Sequence, residues 1–191
     1  MVKELDPQAV KKMLAGNADA FHQVLDFHME TVSRYVQRMT YNRADTEDIV
    51  QETFLRLWST RHRYDPAKAK LTTWIHKIAH NLCVDSLRVS KPELRIIEEP
   101  ATNGPDSDYD QRSQSQIVAQ ALSQLPERQR SAVVMCHYQG LSNREAAEII
   151  DVSIDALESL LSRGRKQLKK TLEVQISHPT KWEPLSTERI K

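Results

Sequence analysis

The side chains best equipped for chemistry fall into three groups. Trp74, Lys77, Asn81 and Arg88 sit on a basic helix within Leu71 to Lys91. An indole stacks on unpaired bases, an asparagine amide reads a base edge once the base has left the duplex, and cations hold phosphate. Taken alone, Trp74 reads as a core or rim residue. A second basic set, Ser159, Arg163, Arg165, Lys166, Lys169 and Lys170, lies on the last long helix and offers phosphate contacts with some reach to base edges. The third group, His76, His80 and Cys83, follows H-x3-H-x2-C, which brings three zinc-type ligands near one helical face. A fourth ligand is not evident. Cys83 is therefore expected to pack between helices, with His76 and His80 at the surface or in a groove, and no metal or other cofactor is expected. Catalysis finds little to stand on: there is no glycine-rich phosphate loop, nucleophile elbow or metal pair, and Glu47 and Asp48 belong to a polar helix start. The sequence does not read as an enzyme.

Helices must position these groups. Apolar residues recur with helical period at Phe21, Val24, Leu25, His28, Val32, Tyr35, Val36 and Met39, predicting a long helix after a shorter one from about Asp6. A third helix is expected from about Asp45, capped by Asp45 or Thr46, with Ile49, Thr53, Phe54 and Leu57 inward. After the turn RHRYDPAKAK a fourth begins at Thr72 or Thr73 and turns Ile75, Ile78, Ala79, Leu82 and either Leu87 or Val89 inward. Lys91 to Ser113 combines Pro, Gly, Asn, Asp and Ser without apolar period and reads as a linker. Beyond it, Ile117, Ala121 and Leu125 mark a helix stopped by Pro126, which opens the next, PERQRSAVVMCHYQ, ending at Gly140. Ser142 and Glu145 have the spacing of a capping box before Ala146, Ala147, Ile149 and Ile150. A turn at Asp151, Val152 and Ser153 leads into a helix with Ile154, Leu157, Leu161, Leu168 and Leu172 inward. Short helices joined tightly, with small residues at their crossing, are the layout of a helix-turn-helix; the alternative is an ordinary helical hairpin with a solvated basic face. The expected fold is all-α: a helical domain over residues 1–90, a flexible acidic linker over 91–113, a second helical domain over 114–174 and a tail over 175–191.

Composition agrees with that organisation. A chain of 191 residues holds one ordinary domain or two small ones. Hydrophobic residues at 39% and charged residues at 28% describe a globular protein, and only 4 glycines argue against turn-rich sheets. No apolar run approaches the roughly 18 residues that cross a bilayer, and MVKELDPQAV has no apolar signal core, so a cytoplasmic protein without membrane insertion is expected. Cys83 and Cys136, far apart in apolar helical patterns, read as reduced thiols. The net charge of +1 conceals segregation. From Arg61 to Lys91 seven basic residues stand against two acidic; from Pro92 to Ser113 six acidic stand against two basic. Such separation suits different segments meeting different partners.

Four strings occur in order: DTEDIVQETFLRLW (Asp45 to Trp58), LTTWIHKIAHNLCVDSLR (Leu71 to Arg88), LPERQR (Leu125 to Arg130) and GLSNREAAEIIDVS (Gly140 to Ser153). Together they resemble the extracytoplasmic-function group of sigma factors over about Ala18 to Leu172. The resemblance implies a factor that binds core RNA polymerase, recognises minus-ten and minus-thirty-five promoter elements and promotes transcription initiation, with an anti-sigma factor as a further partner. It implies that the first domain is sigma region 2, where Asp48, Gln51, Glu52 and Leu55 dock on the polymerase β′ coiled coil. Trp74 and Lys77 would engage the minus-ten strand, Asn81 would lie beside the pocket for an extruded base, and Arg88 would hold phosphate. The second domain would be region 4, touching the β flap and reading minus-thirty-five duplex with Ser153, Ser159, Arg163, Arg165 and Lys166. The linker would thread toward the polymerase active centre and RNA exit path. Where many members carry basic residues in the recognition helix, this chain has Glu158 and Leu160. Leu160 reads either as buried packing or as an apolar extension toward the linker, the polymerase or a regulator. A DNA-binding regulator that never touches polymerase would account for Gly140 to Leu172 but not for Asp45 to Arg88.

Overall fold

Several helices in this chain begin where a short polar side chain takes up free N–H groups of the first turn. In the computed structural model, which describes residues 5–89 and 109–177, Asp6 accepts from the Gln8 N–H to start α1 (Pro7–Leu14), and Asn17 accepts from Ala20 to start α2 (Ala18–Thr40). Helix α3 (Arg43–Thr60) starts two residues earlier than the sequence suggested, and its cap is Asn42 rather than Asp45 or Thr46. Tyr41, left-handed at φ 52, ends α2 and turns the chain so that extended Asn42 receives the Asp45 N–H at 3.1 Å. Thr46 instead donates to the Asn42 carbonyl at 2.6 Å. A 3-10 turn (Arg61–Arg63) leads to α4 (Leu71–Val89).

The second half comprises α5 (Tyr109–Ser123), α6 (Glu127–Val133), a π-helical turn (Val134–Tyr138), α7 (Asn143–Ile150) and α8 (Ile154–Ser177). Helix α5 thus occupies the last residues read as linker; 91–108 and the tail from 178 lie outside the described residues. Pro126 caps α6, and Gly140, at φ 66, lets the chain leave the π turn.

The long stripe of α2 packs as its period requires: Val24, Val32, Tyr35, Val36 and Met39 are fully buried among α1, α3 and α4. Ile75, Ala79 and Cys83 of α4 close that core. In the second domain, Ala132 to Met135, Ala146, Ile149, Leu157 and Leu161 form the interior. Gly164 sits where α8 crosses α6; a Cβ there would stand 2.9 Å from Val133 Cγ2. Ile154 departs from the expected inward stripe and is 46% exposed at the helix start.

The two domains pack against each other, α4 on α7 and α2 on α5, α6 and the π turn. Across this seam the Arg38 guanidinium stands over the Tyr138 ring at 4.5 Å, and the Ser131 hydroxyl donates to Met39 Sδ at 3.7 Å. The seam also corrects one expectation. His76 and His80 are 1% and 5% exposed, interior residues rather than surface or groove ones, because the second domain covers a face that a lone first domain would leave wet.

Candidate nucleic-acid and protein interfaces

On α4 the four nucleic-acid candidates divide into two pairs. Trp74 is half-buried against Tyr64, ring centroids 5.3 Å apart and tilted by 33°. Tyr64 donates to the Ala69 carbonyl at 3.0 Å, tying the approach loop to that ring pair, and burial raises its phenol. Lys77 donates to the backbone carbonyl of Glu148 on α7 at 3.2 Å. Asn81 and Arg88, further along, are exposed. A second cation near the start of α4, Lys70, pairs with Glu145 at 2.9 Å. The Glu145 carboxyl is held down to about 2, first by the Ser142 hydroxyl and backbone N–H, then by Lys70.

On α3, Asp48, Gln51 and Leu55 are exposed, and Glu52 is paired with Arg56 at 2.6 Å. Gln51 and Leu55 form one wall of a groove of about 920 Å³ between α2 and α3. Phe21, Leu25 and Met29 of α2 and Phe54 and Trp58 of α3 line the rest. Phe21 and Trp58 lie 4.9 Å apart, with the Arg61 guanidinium over the indole at 4.1 Å. Sequence reasoning assigned Phe21 and Leu25 to the interior and passed over Met29; all three are half-buried. Their four-residue spacing was the available sign, because it runs along a flank beside the fully buried Val24, Val32 and Tyr35.

The helix-turn-helix is built as its sequence specifies. The Ser142 N–H donates to Glu145 Oε2 at 2.9 Å and its hydroxyl accepts from the Glu145 N–H, completing the capping box. Asp151, left-handed at φ 59, makes the turn, and the Ser153 hydroxyl accepts from the Ala156 N–H at 3.1 Å to begin α8. Ser153, Ser159, Arg163, Arg165, Lys166, Lys169 and Lys170 are all exposed. Arg165 is anchored, donating to His137 Nε2 at 3.1 Å, and Lys169 approaches Glu173 at 3.8 Å. Glu158 is exposed, 3.4 Å from the Asn143 amide, whereas Leu160 packs half-buried on the core, the packing alternative of the two readings.

His76, His80 and Cys83 do not converge. His76 Nδ1 meets the Thr72 carbonyl at 2.8 Å, His80 Nδ1 meets the Tyr35 hydroxyl at 3.0 Å, and the Cys83 thiol is buried, which raises its pKa. Among the described residues no cluster of three or more His, Cys, Asp or Glu is placed to hold a metal ion, and no helix is long and apolar enough to cross a membrane.

Two all-helical domains, the second presenting a basic recognition helix, define a DNA-binding protein of the helix-turn-helix class. The chain belongs to the extracytoplasmic-function (ECF) group of the sigma-70 family of RNA polymerase sigma factors: residues 26–92 match Sigma-70 region 2 and residues 115–168 match Sigma-70, region 4. It is similar to the RNA polymerase sigma factor CarQ of Myxococcus xanthus, 31% identical over 162 residues that cover 82% of this chain and 91% of CarQ. It is also similar to the ECF RNA polymerase sigma factor SigW of Bacillus subtilis, 28% identical over 177 residues, 85% of this chain and 94% of SigW. Its fold is similar to that of the sigma factor RpoE of Bartonella quintana, solved with the anti-sigma factor NepR: the TM-score is 0.67 at 22% identity, covering 81% of this chain and 97% of that one.

Proposed function

We propose that this sigma factor captures core polymerase through α3, engages the opened minus-ten strand through α4 and reads minus-thirty-five duplex through α8. In this reading residues 1–90 act as region 2, 91–113 as the connecting linker and 114–174 as region 4. The observation that carries it is Leu55, 56% exposed on the wall of an apolar groove and flanked by Asp48, Gln51 and Glu52. A large apolar side chain beside a groove, rimmed by carboxylates, suits a partner helix with an apolar ridge and basic flanks, such as the β′ coiled coil. The carboxylates contribute register and association rate more than affinity.

On α4, Trp74 supplies a stacking face, Asn81 an amide for an extruded base and Lys77 and Arg88 charge for the strand. Extruding a base costs a few kcal/mol, which binding at this surface must return. On α8, Arg163, Arg165 and Lys166 hold phosphate, with Ser153 and Ser159 near base edges, while the second domain also meets the β flap. The factor works by binding energy alone, is not an enzyme, and acts in the cytoplasm with core polymerase. An anti-sigma factor, the kind of partner bound to the Bartonella RpoE, would hold it in reserve by covering the same faces.

The test is capture of core polymerase. Asp48→Arg combined with Gln51→Ala changes two exposed positions, so helicity by circular dichroism is expected to be unchanged while co-elution with core enzyme and promoter-dependent transcription are lost. Undiminished co-elution would reject the α3 assignment, and duplex binding by the parent chain without any polymerase association would favour the regulator that never touches polymerase.

A further inference from the structure

Titratable groups are concentrated where the two domains meet. His76 and His80 come from α4 and His28 from α2, with Tyr35 among them. The Tyr35 ring meets His76 edge-on at 5.7 Å, its hydroxyl lies 3.0 Å from His80, and His28 stands close to His76. The second domain forms the lid. Gln139 stands beside His76, Ser131 beside the Tyr35 phenol, and Arg128 faces His80.

His76 donates from Nδ1 to the Thr72 carbonyl, and its buried Nε2 has no partner in hydrogen-bond geometry, with the Gln139 side chain of the second domain beside the ring. A proton at Nε2 would place a charge in a buried site, where the loss of water outweighs the help of the Thr72 carbonyl and Gln139. The charged groups around the imidazoles are unhelpful to protonation. Helix α6 turns Arg128 toward His80, and α4 itself adds Lys77. Glu127 and Arg130, also from α6, face Tyr35 and Cys83. From α7, Glu145 is committed to Lys70 and Glu148 gives its carbonyl to Lys77. Helix α2 brings His28 and Tyr35, whose phenol burial keeps protonated; α3 brings the uncharged Ile49, Thr53, Phe54 and Leu57; His137 of the π turn is exposed and engaged with Arg165.

We propose that this seam is an acid-labile latch, in which His76 and His80 hold the domains together only while neutral and favour their separation when protonated. Burial, then Arg128 and Lys77, lowers His80 to about 4, and burial lowers His76 as well. Separation returns a histidine to water and to its ordinary pKa of about 6.5. The closed form therefore binds protons less readily than the open one, and acid favours the open one. Between pH 7.5 and 5.5, His80 alone lowers the closed-to-open ratio about tenfold, and His76 acts in the same direction. The Glu145 carboxylate facing Lys70 stays ionised throughout, since it titrates only near 2. Opening withdraws α7 from Lys77; only the consequence for promoter DNA rests on the function proposed above, and the latch itself is tested without DNA or polymerase.

The experiment is small-angle scattering of the full chain from pH 7.5 to 5.5 at constant ionic strength, with circular dichroism to monitor helices. The radius of gyration is expected to rise as pH falls and to reverse on neutralisation, at constant helicity. In the variant His76→Gln with His80→Asn the pH response should disappear. Arg128→Gln, at an exposed position, keeps both histidines, removes a like charge beside His80 and should move the opening to a different pH while leaving it in place. An unchanged radius in the parent chain, loss of helicity in step with expansion, or an unaltered pH response in the double variant would overturn the latch.

Discussion

Single side chains decide both the packing and the chemistry. Gly164 has no room for a methyl group: its Cβ would stand 2.9 Å from Val133 Cγ2, inside the α6–α8 crossing. Gly164→Ala is therefore expected to destabilise the second domain by about 1–3 kcal/mol, because overpacking outweighs the gain in helix propensity, as read by urea unfolding. Asn81 is the opposite case, exposed and unneeded for packing. Asn81→Ala should impair promoter opening or alter minus-ten base preference, measured by permanganate footprinting and transcription from promoter variants, with polymerase co-elution unchanged. Equal transcription from every promoter variant would remove Asn81 from the minus-ten surface. Most candidate positions on α4 and α8 could be named from residue type and spacing, and those on α3 from the family resemblance. The exceptions were positions whose meaning depends on a neighbour, such as Met29, an unremarkable helical methionine until α3 lies beside it as the other wall of a groove.

At the scale of elements, local chemistry was legible wherever a side chain satisfies its own backbone. Ser142 and Glu145 form the capping box their spacing implied, and the Asp6 carboxylate starts its helix. Ser142→Ala is expected to destabilise the second domain by about 1 kcal/mol, seen as a lower urea midpoint at unchanged slope, since the Glu145 N–H loses its acceptor. Helix starts were misread where a competing cap lay just upstream. Asn42 precedes Asp45 by three residues, and only left-handed Tyr41 aligns it with the Asp45 N–H. The length of α5 was hidden for a related reason: its first turn, from Tyr109, is polar and lacks the apolar period that marks a packed helix.

At the scale of the molecule, the seam joins surfaces that the proposed function uses separately. Lys77, assigned to the minus-ten strand, is held by the Glu148 carbonyl, and Lys70 by Glu145. Glu145→Gln retains a capping-box partner but loses the ion pair with Lys70. A pair at the surface of this kind, with Lys70 exposed and Glu145 half-buried, contributes about 1 kcal/mol. Binding of single-stranded minus-ten DNA by the free chain is thus expected to rise by about twofold to fivefold, read by fluorescence anisotropy; no rise would mean that the pair does not restrain α4. The sequence by itself determined the helices, the division into two halves and the residue types on each candidate face, because hydrophobic period, caps and charge act over a few turns of one segment. Tertiary structure alone decided that His76 and His80 are interior, that Phe21, Leu25 and Met29 line a groove and that α7 restrains Lys77. Burial at those positions is set by residues tens of positions away, and a one-dimensional pattern carries no record of which distant face will exclude water from them.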